Sequence, residues 1–188
     1  MAALHTEQLE FLLSHLVHSP GRSEALGVFA ADCIPSLRRI NARNTCFILN
    51  TDLSHEPGAH WLAFYYDHAK RCLEYFDSFG LPLSFHYNVS RELSKLGLRV
   101  TPMNTRGMLQ RLDTTACGYY CILYLHFRAL FTAEGAVRQI ARLTRSTATR
   151  DAKVVSCVHL MMHEHHCLNM PTTSSCSSKS QGCKCRNE

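Results

Sequence analysis

Nowhere in this chain do about 18 apolar residues run together, so no membrane-spanning helix is expected. The amino terminus, Met-Ala-Ala-Leu-His-Thr-Glu, lacks a basic stretch followed by an apolar one, and no secretory leader is expected either. Charged residues are few, 19% of 188 against 46% hydrophobic, which is enough apolar material for one core without disulfides. No sequence-reading nucleic-acid motif is present, so any nucleic-acid binding would go through phosphates and weaken with salt. These absences point to a single compact domain in a reducing compartment.

Cysteine and histidine, by contrast, are plentiful, with ten and twelve copies. Several of the cysteines lie within apolar segments, where a reduced thiol packs as a small hydrophobe, and they are read as free thiols.

The hydrophobic pattern predicts an α+β fold, a central mixed sheet flanked by helices. Leu9, Leu12, Leu13 and Leu16 recur at helical spacing between Thr6 and Val17, and a loop is expected from there to about Asn44. Cys46–Asn50, Trp61–Tyr66 and Cys72–Phe76 read as strands, the last two joined by a turn at Asp67–Lys70; Leu98–Pro102 adds another after a short helix around Ser90–Leu96. Cys117–Phe131 is nearly all apolar and too long for a strand, so a buried helix is expected there, with further helices at Ala133–Leu143 and Ala152–His166. Residues 1–170 form the expected domain; 171–188, rich in Ser, Lys and Cys, form a mobile tail.

That reading puts Cys117 in the first turn of a buried helix, where unpaired N–H groups and a partial positive charge favour a thiolate. Its candidate partners precede it in the chain. His60 is suited to exchange the thiol proton, Asp77 to orient the imidazole, and Gln110 to donate to a developing oxyanion. His60 begins one predicted strand and Asp77 ends the next, so an antiparallel pairing brings them to one end of the sheet. Gly118 removes a side chain beside the nucleophile, where backbone and substrate would meet, and Trp61 is a candidate for lining the substrate site.

The run His60-Trp61-Leu62-Ala63-Phe64, the seventeen-residue step to Asp77 in Phe76-Asp77-Ser78-Phe79-Gly80, and Ala116-Cys117-Gly118 ending in Cys121 resemble the adenovirus-type cysteine proteases, the adenain family. The resemblance covers roughly residues 5–131 and extends, more distantly, to the proteases of SUMO and other ubiquitin-like proteins. It implies a thiol endopeptidase that cuts structural precursor proteins at glycine-containing sites during virion maturation. The expected setting is the virion and the host nucleus or cytoplasm, the chain being a monomer with no membrane association. Where adenoviral members carry glutamate this chain has Asp77, the choice of the SUMO-protease relatives. The alternatives are removal of ubiquitin-like modifiers and a DNA- or capsid-binding scaffold without chemistry.

The family uses DNA as an activating surface and an activating peptide held by a disulfide. Arg99 occupies the position of the tethering cysteine, which argues against the covalent tether. For DNA, the net charge of +5 and the i, i+4, i+7 spacing of Arg138, Arg142 and Arg145 suit phosphate contact or a solvated helix face equally well. Arg150 and, near the first strands, Arg38, Arg39 and Arg43 add to the basic groups. His159, His163 and His166, with Cys157 and Cys167 nearby, have a spacing that zinc would accept, but no carboxylate partner is identifiable and no metal is expected.

Overall fold

In the computed structural model, residues 3–17, 23–35, 44–103, 107–144 and 146–169 are described. A five-stranded mixed sheet runs in sequence order: β1 (Ser23–Phe29), β2 (Asn44–Asn50), β3 (Trp61–Asp67), β4 (Cys72–Phe76) and β5 (Arg99–Pro102). β2, β3 and β4 are antiparallel, and a parallel strand is added at each edge. Helices α1 (Thr6–Leu12, continued by a wider π turn through Val17), α2 (Tyr87–Ser94), α3 (Cys117–Leu130), α4 (Ala133–Arg142) and α5 (Thr147–Asn169) complete the α+β architecture.

The central strands are buried on both faces, which is why β2 and β3 carry continuous apolar runs and β4 is broken only by the buried Glu74. Alternation still sorts their side chains. Cys46, Ile48, Ala63, Tyr65 and Phe76 join the core under α1, α3, α4 and α5, whereas Phe47, Leu49, Leu62, Phe64, Leu73 and Tyr75 face the second core with Val89 and Leu93 of α2. α3 lies across the first face, with Tyr124 stacked flat on Phe76 at a centroid distance of 4.3 Å.

β1 occupies what the pattern assigned to a loop. Its sequence, Ser-Glu-Ala-Leu-Gly-Val-Phe, does not alternate cleanly because a bulge at Ala25/Gly27 shifts the register, with Gly27 at φ +129. α2 begins at Tyr87, ahead of the expected Ser90, and α5 at Thr147, ahead of Ala152. The expected tail lies outside the described residues.

Candidate active site

The β3–β4 hairpin fixes the first pair. Ala63 stands opposite Phe76, so the chain enters β3 from His60 and leaves β4 into Asp77 at the same end of the sheet. Thr51 N–H donates to the His60 carbonyl at 2.9 Å, extending the pairing with β2 one step past Trp61. The preceding loop is held by Asn50, whose Oδ1 accepts from Asp52 and Ala59 N–H. Gly58 is required where this loop passes: φ is +90, and a Cβ would stand 2.8 Å from the Asn50 amide nitrogen.

His60 Nε2 meets Asp77 Oδ1 at 2.7 Å, and both side chains are buried. The Cys117 side chain is near enough to the imidazole to act on its protonation. Since Nε2 is committed to Asp77, Nδ1 is the ring nitrogen available to the Cys117 sulfur. Phe79 stacks on its face at 4.6 Å. Burial alone would discharge His60; the hydrogen bonds to Asp77 and Cys117, with their charges, outweigh it and raise the pKa from 6.5 to about 9. Asp77 moves the other way. Burial opposes its charge, but hydrogen bonds from His60 and His86 hold the carboxyl well below the usual range.

Cys117 reaches this pair from the first turn of α3. Ala116, the residue before that helix, makes no side-chain cap. Cys121, one turn deeper, is fully buried, and its thiol donates to the Trp61 carbonyl at 3.3 Å. Burial pushes its pKa far up, as it pushes that of Cys46 on β2 to about 12, so both are thiols committed to the core.

Gln110 is buried and tied to the residue after Asp77: its N–H donates to the Ser78 carbonyl at 3.0 Å and its Oε1 accepts from Ser78 Oγ at 2.7 Å. Its Nε2 donates to the Thr114 carbonyl at 2.8 Å, with Thr114 Oγ1 further off at 3.4 Å. Thr114 is in turn anchored on α5, its hydroxyl donating to Asp151 Oδ2 at 2.7 Å, while Tyr120 donates to the other carboxylate oxygen at 2.8 Å. No local pattern in the chain marks this anchor. Arg150, grouped above with the surface cations, is buried and donates to the Leu109 and Thr144 carbonyls, so it braces the loop from inside.

Trp61 is half-buried, donates from Nε1 to the Leu4 carbonyl at 3.1 Å, and lines an open cleft of about 900 Å³ with His5, Asn50, Leu53 and Pro57. Gly118 differs from expectation. A Cβ there would meet Leu4 and Leu9 at 3.2 Å, so the space freed beside Cys117 is filled by the amino-terminal segment and is not left to a substrate.

The model of the adenovirus endoprotease family matches residues 25–167. The chain belongs to that family. Over 95 residues it is 30% identical to a protease of Porcine adenovirus A serotype 3, an alignment covering 45% of this chain and 47% of that protein. Over 88 residues it is 31% identical to a cysteine protease of African swine fever virus, covering 43% of this chain and 32% of that protein. The aligned part is thus half or less of each relative's length. Among solved structures, ChlaDub1 of Chlamydia trachomatis superposes with a TM-score of 0.50 at 16% identity, over 69% of this chain and 64% of that one. The SUMO protease Ulp1, its catalytic cysteine oxidised to a sulfinic acid, superposes with a TM-score of 0.50 at 12% identity, over 87% and 78%. These two likenesses concern the fold.

On this adenovirus-endoprotease-family scaffold, Arg99 is exposed on edge strand β5, in register with the buried Cys72 of β4, whose sulfur lies 3.1 Å from Thr101 Oγ1. Arg138 and Arg142 are exposed on α4, turned from its buried Ala136 and Ile140, whereas Arg145, Arg38, Arg39 and Arg43 lie outside the described residues. His159 packs edge-on to Tyr119 at 5.6 Å. The side chains of His166 and Cys167 also lie outside the described residues. No helix among the described residues is long and apolar enough to cross a membrane.

Proposed function

We propose that this chain is a thiol endopeptidase in which Cys117 is the nucleophile, His60 its acid–base partner and Asp77 the group that orients the imidazole. The observation that carries the reading is the buried His60, bonded to Asp77 at 2.7 Å, with Cys117 in the first turn of α3 close enough to raise its pKa. Transfer of the thiol proton to His60 gives a thiolate–imidazolium pair. Sulfur attacks the scissile carbonyl carbon, and the oxyanion is taken by the Cys117 N–H and by Gln110 Nε2, which releases Thr114 Oγ1 from its long approach. His60 then protonates the leaving amine as the C–N bond breaks, leaving a thioester. A water molecule, deprotonated by His60, releases the acid and restores the thiol.

The substrates proposed are viral structural precursors cut at glycine-containing sites during virion maturation, in keeping with the family and with the viral relatives. Phosphate contacts from Arg138 and Arg142 attach the enzyme to DNA, and any activating peptide binds without a disulfide at residue 99. The fold shared with a SUMO protease favours a second reading, removal of a ubiquitin-like modifier.

The test is covalent labelling by an electrophilic peptide probe ending in Gly-Gly, with mass mapping, on wild type, Cys117→Ala and His60→Ala. Rapid modification confined to Cys117 and lost in His60→Ala is expected; slow labelling spread over many cysteines would refute the assignment. Cleavage of modifier conjugates without cleavage of internal peptide bonds would select the second reading.

A further inference from the structure

Asp77 does not serve His60 alone. Its second oxygen, Oδ2, faces His86 Nε2 at 3.2 Å. The carboxylate also accepts backbone N–H bonds, at Oδ1 from Phe79 (2.9 Å) and at Oδ2 from Leu81 (3.1 Å). His86 is partly buried, with a side-chain exposure of 9%, and its ring lies 5.9 Å from that of His60 and 6.3 Å from that of Tyr75. Its backbone is fixed because it is the residue from which α2 starts: Ser90 N–H donates to its carbonyl at 2.8 Å, and α2 is seated by Val89 and Leu93 in the second core. A line of packed groups therefore runs from that core through His86 to the far oxygen of Asp77.

We propose that His86 is a positioning residue that holds Oδ2 of Asp77 so that Oδ1 stays aimed at His60. The two backbone donors restrain the carboxylate from the loop that follows it, and His86 restrains it from a separate element, which limits rotation about the Cβ–Cγ bond. The inference rests on the Cys117–His60–Asp77 reading. Among the described residues, the other titratable groups acting on this cluster are Cys117 and Cys121 of α3 and Tyr75 of β4, whose hydroxyl donates to the Leu81 carbonyl at 2.9 Å.

Three variants test it: His86→Gln keeps an N–H donor at the reach of Nε2, His86→Asn carries the same amide one methylene short, and His86→Leu has no donor. With a fluorogenic Gly-Gly peptide amide, His86→Leu is expected to lose about three- to tenfold in kcat, the scale of one net hydrogen bond, with little change in KM. Its alkaline limb of kcat/KM moves to lower pH, because a carboxylate free to turn gives the imidazolium a poorer acceptor. His86→Gln recovers both, and His86→Asn does not; this pair decides the matter even if His86→Leu fails to fold. Equal activity and equal pH profiles for the Gln and Asn variants would overturn the positioning role while leaving the protease reading intact. Wild-type protein that neither turns over the peptide nor labels at Cys117 would overturn both.

Discussion

His60 keeps its proton further into the alkaline range than a free imidazole, and this has consequences for stability and for activity. With a folded pKa near 9 against an ordinary 6.5, the stabilisation from its proton is complete below about pH 6.5 and is lost as pH rises through 9. Asp77 contributes in the opposite direction: its depressed pKa stabilises the fold above the ordinary carboxyl value and is lost as pH falls below it. For activity, the alkaline limb of kcat/KM is expected near pH 9, and a limb near 6.5 in a pH–rate series would show that the pair does not form. Residue chemistry was partly legible in the chain. Cys117, His60 and Asp77 stand in recognisable local sequences, but His86 is one of twelve histidines and nothing in its neighbours marks it. Ser78, which ties Gln110 to the Asp77 turn, reads as an ordinary loop serine.

Among the elements, α3 is held in place by two features of different kinds. Gly118 lets α3 approach the segment carrying Leu4 and Leu9, so Gly118→Ala is expected to cost about 1–3 kcal/mol of stability by overpacking, measured by urea unfolding. At the other end, Arg128 forms a two-pronged pair with the buried Glu74 of β4, at 2.6 and 3.0 Å, and lies 4.1 Å over the Tyr65 ring. Arg128→Ala leaves Glu74 buried without its cation and should cost about 3–5 kcal/mol; a cost below about 1 kcal/mol would mean that water replaces the guanidinium. Element type was legible where burial on both faces left an uninterrupted apolar run, as in β3, read as Trp61–Tyr66 and observed as Trp61–Asp67. β1 was missed because its bulge breaks the alternation and the strand is half exposed. The pairing of Arg128 with Glu74 joins positions too far apart in the chain for any local pattern to reveal.

At the scale of the whole molecule, the described arginines of the basic groups part ways, Arg138 and Arg142 being outward on α4 and Arg150 turned inward. If α4 is the DNA-facing surface, replacing both outward arginines by glutamate should weaken duplex binding and lower the slope of log K against log salt by about 0.9 for each phosphate no longer neutralised. An unchanged slope in a fluorescence-anisotropy titration would remove α4 from the interface. The order of the chain has another consequence. His60 and Asp77 are 17 residues apart on one hairpin, whereas Cys117 joins them only when α3 docks, closing a loop about three times longer at an added entropic cost of roughly 0.6–1 kcal/mol. On the proposed reading, the imidazole–carboxylate pair thus assembles before the Cys117 thiol joins it. A nascent or partly refolded chain would carry no cutting activity against itself or its neighbours, and the alkylation rate of Cys117 would serve as a built-in clock for the last step of folding.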